Sequence, residues 1–317
     1  MYICDCHCDT LSKLLNGDGE LYQNSYHLDF KRIIANGGGL QFCAAYVPSE
    51  YRYTGGLKYA LKLIDMYNRN MDWMRQNSID VLPILCKKDA LMAKQHNMAS
   101  LLAIEEGGAL EGSLEMLRIL HTLGVRCITL TWSNRNDIAC GINEASTGGG
   151  LTLFGRQVVR EMNRLGMLID VSHIAPQGFW HVLEESKQPI IATHSNAKSL
   201  CSAERNLDDA QIKAIGSNKG MIGIAFASQF IEDAPKPAYI EGIYRHIDYM
   251  LNLIGNDDCI GFGSDFDGIK RPPEDLQNVD AYPRLIEYLQ SKNYKQSTIE
   301  KIAHGNVLRM LSEVLPD

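Results

Sequence analysis

The sequence predicts an α/β chain folded as a (β/α)8 barrel, on three observations. Short apolar runs recur along the chain with helical stretches between them. Most of these runs are continuously apolar, as strands buried on both faces of a parallel sheet must be. No glycine-rich phosphate loop follows any of them, so the rival architecture, a doubly wound open sheet, lacks its usual mark. At 317 residues the chain is long for an average domain, yet barrels of this kind commonly form one domain of about 250 residues or more. It shows no internal repeat and no low-complexity linker, so residues 1–317 are expected to form a single barrel domain.

The expected strands, in order, are Tyr2 to Cys8, Leu40 to Val47, Leu101 to Ile104, Arg126 to Thr131, Met167 to Val171, Pro189 to Thr193, Gly220 to Ala225 and Cys259 to Gly263. Helical stretches are expected over Gly56 to Gln76, Leu114 to Leu123, Phe154 to Leu165, Asp208 to Ile215, Ile240 to Ile254 and Tyr282 to Leu289. The region from Asn77 to Ala99 is less regular, with room for a small added strand or hairpin. Gly148-Gly149-Gly150 and Arg271-Pro272-Pro273 mark loops after the fourth and eighth strands, on the face where barrel active sites lie.

Hydrophobic residues make up 45% and charged residues 22%, the balance of an ordinary soluble enzyme. The net charge is -7 without a long basic run, which leaves no electrostatic footprint for nucleic acid or an anionic membrane. Met1 leads straight into the first strand, and no segment approaches the roughly 18 to 20 apolar residues of a membrane span. A cytoplasmic location with reduced thiols is therefore expected for the nine scattered cysteines.

The first strand carries Asp5-Cys6-His7-Cys8-Asp9. Strict alternation puts Asp5, His7 and Asp9 on one face, and Cys4, Cys6 and Cys8 on the other as small packing residues against the helices. Further acids and imidazoles stand where later apolar runs end: Glu105 after Ile104, His173 after Val171-Ser172, His194 after Thr193, and Asp265 after Gly263-Ser264. A lone histidine at a strand end is usually structural, but six such residues converging on one barrel mouth describe a site. Imidazole and carboxylate ligands together suit Zn²⁺ or a similar ion. Three histidines and three carboxylates exceed the ligand set of one catalytic zinc, which implies two ions. Such a pair, sharing a carboxylate and a hydroxide, hydrolyses amides or esters. A base must then carry a proton to the leaving amine, and Asp265 is the best placed candidate.

In this order His-x-Asp, Ile-Glu before Gly-Gly, Ile-Asp-x-x-His, Thr-His-Ser-x-Ala and Gly-Phe-Gly-x-Asp-Phe-Asp-Gly resemble the membrane dipeptidase (renal dipeptidase) family of the metal-dependent amidohydrolase barrels. The resemblance covers nearly the whole chain, including Ser113 to Thr131 and His304-Gly305-Asn306-Val307-Leu308-Arg309. It implies that His7 and Asp9 bind one zinc, His173 and His194 a second, and that Glu105 bridges the two with a water or hydroxide. Glu106 competes for the bridge, because the family shows a single glutamate there; counting back without a gap from Leu117-Arg118 favours Glu105. Asp265 falls on the family's proton-shuttling aspartate, and Asp267 is read as a loop-ordering or capping carboxylate. Arg205 matches the arginine that holds the substrate's free carboxylate, the alternative being a surface pair with Glu204 or Asp208.

The implied activity is hydrolysis of small dipeptides. Other amidohydrolase reactions, on N-acyl amino acids or lactones, and an inactive binding relative remain as alternatives. A homodimer is also expected from the resemblance. One departure stands out: where the mammalian enzyme has a histidine that contacts the reacting oxygen, this chain has Trp132, whose indole donates one hydrogen bond but takes no charge. Oxyanion stabilisation then falls to metal, Trp132 or a neighbour such as Asn134. The other six histidines are expected to be structural or exposed. Ser195 lacks the Gly-x-Ser-x-Gly elbow of a serine hydrolase.

Overall fold

The computed structural model describes all 317 residues. Its strands are β1 (Ile3–Cys8), β2 (Gly39–Tyr46), β3 (Val81–Pro83), β4 (Met98–Glu105), β5 (Val125–Thr129), β6 (Leu168–Asp170), β7 (Ile191–Ala192), β8 (Met221–Ile224) and β9 (Ile260–Phe262). All pair in parallel. β2 bonds to β1 and β4, and β9 to β8 and β1, which closes an eight-stranded (β/α)8 ring from which β3 is left out. β3 lies against the first half of β4, from Val81↔Met98 to Pro83↔Ser100, while β5 pairs from Leu102 onward. The irregular region thus holds an added strand, and its partner is parallel rather than the arm of a hairpin.

The helices around the ring and at its two ends include α1 (Thr10–Leu15), α2 (Gly56–Gln76), α3 (Leu114–Thr122), α4 (Leu153–Leu165), α5 (Pro176–Glu185), α6 (Asp209–Ser217), α7 (Ile240–Ile254), α8 (Tyr282–Ser291) and α9 (Asn306–Val314). α2 and α7 run over the predicted residues. α1, α5 and α9 were not anticipated, although α5 opens with Pro176 in its first turn, where the missing N–H costs nothing. No helix is long and apolar enough to cross a membrane.

Two apolar clusters divide the core. The larger joins the outer strand faces to the helices, with Phe30, Phe179, Phe226 and Phe262 among its fully buried members. The smaller takes Cys4, Cys6, Phe42, Leu101, Cys127, Leu168, Ile191 and Met221, and side chains from so many strands meet only inside the ring. Val307, Met310 and Leu311 of α9 join this inner cluster. Arg309 donates to the carbonyls of Gly220 and Asp258, just before β8 and β9, so α9 seals the N-terminal end of the barrel. The opposite end stays open.

The alternation expected for β1 is corrected. Cys4 and Cys6 face the barrel interior and Asp5 faces outward, where the alternation predicted the reverse. Between Asp5↔Gln41 and Cys8↔Cys43, β1 advances three residues against two of β2. This bulge reverses parity after Cys6, so His7 turns into the open mouth and Cys8 turns out beside Cys43. Asp5 pins the bulge. Its Oδ1 accepts from the backbone N–H of His7 at 3.2 Å and of Ser264 at 2.8 Å, and its Oδ2 from Ser264 Oγ at 2.6 Å and the Tyr282 hydroxyl at 2.7 Å. The cysteines remain packing residues, and all nine are free thiols.

His246, expected to be structural, is fully buried on α7 with both ring nitrogens bonded. Nδ1 accepts from Ala197 N–H at 3.1 Å and Nε2–H donates to the Ile231 carbonyl at 3.0 Å, so the neutral ring clamps the loop after β7. Burial lowers its pKa to about 4. The unfolded chain takes that proton near pH 6.5, so between these values the unfolded state binds more protons and stability rises with pH. This contribution is whole above about pH 6.5 and shrinks as pH falls, by about 3 kcal/mol in total once pH 4 is passed. Unfolding free energies of wild type and His246→Asn, measured from pH 7 down to pH 4, are expected to converge.

Candidate metal centre

Glu105 is the last residue of β4 and reaches the mouth by plain alternation from Leu101 and Ala103, which both face the interior. Its two oxygens point to different neighbours. Oε2 lies 3.4 Å from His7 Nε2, while Oε1 lies 3.1 Å from His173 Nε2 and 3.7 Å from His194 Nε2. Asp9 Oδ2 is 3.5 Å from His7 Nε2. The Nε2 atoms of His173 and His194 approach to 2.8 Å. His7, Asp9 and Asp265 also offer ligand atoms within 4.8 Å of one another. The structure therefore brings the sequence-predicted residues together in two groups, His7 with Asp9 and His173 with His194, on either side of one carboxylate.

Glu106, the competitor, turns away. At φ 91° it sits in a backbone region that side chains rarely adopt. It accepts from the N–H groups of Gly108 at 2.9 Å and Trp132 at 3.2 Å, and from the Asn136 amide. It orders the turn after β4 and does not reach the histidines.

Groups behind the histidines set which nitrogen faces the centre. Thr193 Oγ1 donates its only hydrogen to Asp170 at 2.6 Å, so its 2.9 Å contact with His194 Nδ1 must be accepted from the ring. His194 Nε2 is thereby left with a lone pair toward Glu105. His173 Nδ1 contacts Ser133 Oγ at 3.2 Å. His173 and Asp265 both hold positive φ, 66° and 61°, which turns side chains beyond the strand ends into the mouth. A Cβ on Gly268 would push the carboxylates of Asp9 and Asp265 out of their present positions.

The electrostatics of this cluster suit cations. Burial, with Asp9 adding to it, pushes the Glu105 carboxyl up to about 7, and burial holds Asp265 well above the ordinary carboxylate range. Burial drives His173 and His194 well down, with Arg205 and His7 adding to the effect. Burial also lowers His7, but Glu105 and Asp9 outweigh it and raise the ring. His7 Nε2 and Asp9 Oδ1 are buried with no hydrogen-bond partner. Orphaned atoms of this kind are costly unless a ligand satisfies them, and divalent ions favour neutral imidazoles and ionised carboxylates. The donor set fits a metal.

Above the cluster opens a cavity of about 1230 Å³. Its lining includes Asp9, Tyr46, Glu105, Trp132, His173, Arg205 and Asp265. Arg205 does not make the surface pair weighed as its alternative. It donates to Ser195 Oγ and to the His194 carbonyl, each at 2.9 Å, while Glu204 pairs with Lys198 and Asp208 caps α6. Trp132 forms a wall, its ring 5.4 Å from that of Tyr46 and 5.8 Å from that of His173. Asn134, named with it as an oxyanion donor, gives its amide to Ser49 instead. Asp267 orders the loop, as expected, by accepting from Thr10 Oγ1 at 2.5 Å and His27 N–H at 2.8 Å. Asp5, Asp170 and Gly268 were missed as supports of the site, although Asp170 stands within the quoted Ile-Asp-x-x-His motif.

Comparison with known proteins agrees with this geometry. Residues 1–315 match the model of the membrane dipeptidase family, peptidase family M19. "Dipeptidase tcpJ" of Claviceps purpurea is 32% identical over 91% of this chain and 69% of its own length. "Dipeptidase 3" of Mus musculus is 32% identical over 87% of this chain, which spans 55% of the mouse protein. Among solved structures, a metallo peptidase called dipeptidase AC superposes with a TM-score of 0.90 at 27% identity, covering 100% of this chain and 99% of its own. A metallo peptidase from Rhodobacter sphaeroides, liganded with a phosphinate mimic of the dipeptide L-Ala-D-Ala, gives 0.86 at 26% identity, covering 99% of each chain. A closed parallel barrel, a mouth lined by histidines and carboxylates, and a family match running almost end to end lead to one statement: the chain belongs to the membrane dipeptidase family, M19, and is a metallo-dipeptidase hydrolase.

Proposed function

We propose that the chain is a binuclear zinc dipeptidase that hydrolyses the peptide bond of small dipeptides. The observation that carries this reading is the division of Glu105, one oxygen toward His7 and the other toward His173 and His194. His7 and Asp9 would hold one ion, His173 and His194 the other, and Glu105 would bridge them. When bound, the ions supply a polarised carbonyl and a water acidic enough to attack at neutral pH. The chain's own residues do the rest. Arg205 seats the substrate's free carboxylate, which orients the scissile bond over the cluster. Asp265, in the cavity close to Asp9 and Arg205, takes the proton released by the attacking water and returns it to the departing amine. Trp132 and Tyr46 form an aromatic wall beside the reacting group.

Zinc content and turnover of L,L and L,D dipeptides, N-acyl amino acids and lactones test this reading together. Two equivalents of zinc with dipeptides as the best substrates are expected. A metal-free, inactive protein would point to a binding relative, and preference for acyl amino acids or lactones would shift the substrate class.

Arg205→Lys is expected to raise KM for dipeptides far more than it lowers kcat, because a remote carboxylate is held alike in ground and transition states. Losing the guanidinium fork costs roughly 1 to 3 kcal/mol, or about fivefold to 150-fold in kcat/KM. A dipeptide amide should be a poor substrate and nearly indifferent to the change. Equal losses for acid and amide would assign Arg205 to folding, through Ser195 and the His194 carbonyl.

A further inference from the structure

The cavity above the cluster has one wall that the hydrolytic reading leaves unused. α1 presents Ser12, Lys13 and Asn16 to it, and the loop after β9 presents Lys270 and Arg271. The cavity's carboxylates are engaged elsewhere: Asp9 lies beside His7, Asp267 beside His27, and Glu204 pairs with Lys198. Lys13, Lys270 and Arg271 are exposed and face the cavity without an acidic partner. Ser12 Oγ on the same wall is buried and lacks a hydrogen-bond partner. The chain as a whole carries -7, so a cationic wall here runs against the general charge of the surface. Divalent ions in the cluster would offset the buried acids beneath it, leaving an electropositive opening that attracts anions.

Position decides which half of a substrate meets this wall. Arg205 is bonded to the His194 carbonyl and so stands at the His173 and His194 side of Glu105. Lys13 stands on α1, one helical turn beyond Asp9, and Lys270 follows Asp265 and Asp267 after β9, which pairs with β1. These cations occupy the His7 and Asp9 side. A dipeptide whose terminal carboxylate sits on Arg205, with its scissile carbonyl over the cluster, must extend its N-terminal residue toward them.

We propose that Ser12, Lys13, Lys270 and Arg271 form a carboxylate-binding subsite for the side chain of the substrate's N-terminal residue, so that dipeptides beginning with Glu or Asp are preferred. The inference rests on the dipeptidase reading and narrows its substrate class. The wall formed by Tyr46 and Trp132 offers no comparable charge.

The test measures kcat/KM of the zinc-loaded enzyme on Glu-Ala, Ala-Ala, Lys-Ala and Ala-Glu. Wild type is expected to favour Glu-Ala over Ala-Ala by about fivefold to tenfold at low salt, since each exposed ion pair contributes up to about a factor of five. The ratio should fall toward one at about 0.5 M salt, where the screening length drops to a few ångströms. The double variant Lys13→Ala/Lys270→Ala should bring the ratio close to one at low salt, and Lys270→Glu should tilt preference toward Lys-Ala. An unchanged ratio in the double variant overturns the proposal, as does a wild-type preference for Ala-Glu, which would move the acidic side chain to the other half. Turnover of Ala-Ala without any acid preference refutes this subsite alone. Absence of turnover on every dipeptide removes the underlying reading with it.

Discussion

Glu105→Gln is expected to abolish turnover and to lower zinc content, whereas Glu106→Gln keeps both in the molecules that fold. A neutral amide cannot offset two dications, and its NH2 group would replace an oxygen now directed at either His7 or His173. Glu106 shares none of these contacts, but it accepts from two backbone N–H groups and one side-chain amide. A glutamine there must turn its NH2 toward one of those donors, at a cost of about 1 to 3 kcal/mol in stability. The two variants should therefore separate: zinc per chain and kcat fall in the first, and the unfolding midpoint falls in the second. Wild-type activity in Glu105→Gln would remove the bridging role proposed for it.

Asp265→Asn should retain both metals and still lose about 10² to 10⁴ in kcat, the range typical of general acid and base steps. The prediction follows from the placement of Asp265 beyond β9 at positive φ, in the cavity with Arg205 and close to Asp9. Its backbone N–H donates to the His7 carbonyl at 3.2 Å, so the β1 and β9 ends stay tied together whatever the charge of the side chain. Zinc content and kcat belong on the same preparation. Inactivity accompanied by loss of an ion would make Asp265 chiefly a ligand. Near-normal kcat with two ions bound would transfer proton movement to another group.

Much of this protein was legible in its sequence because the signals are local. Buried parallel strands require continuous apolar runs, so Leu101 to Ile104 and Ile260 to Phe262 announced themselves. Ordered acids and histidines at the ends of such runs marked the mouth, because strand ends are where a barrel exposes side chains to a ligand. The choice of Glu105 over Glu106 rested on the ungapped count back from Leu117-Arg118 and on its place directly after Ile104, and in the structure Glu105 shares the inward face of Leu101 and Ala103. Other features depended on contacts between distant segments. The side on which Asp5 and Cys6 lie was set by a bulge, held by Ser264 and Tyr282 more than 250 residues away, and strict alternation mispredicts it. The tautomer of His194 was decided by a hydroxyl that itself answers to Asp170 on the neighbouring strand. The gathering of Lys13 with Lys270 on one wall arose only when β1 and β9 met to close the ring. Pattern along a strand reports burial, because burial acts on each residue singly; hydrogen-bond partners and shared cavities join residues far apart in the chain, and only the closed barrel brings these together.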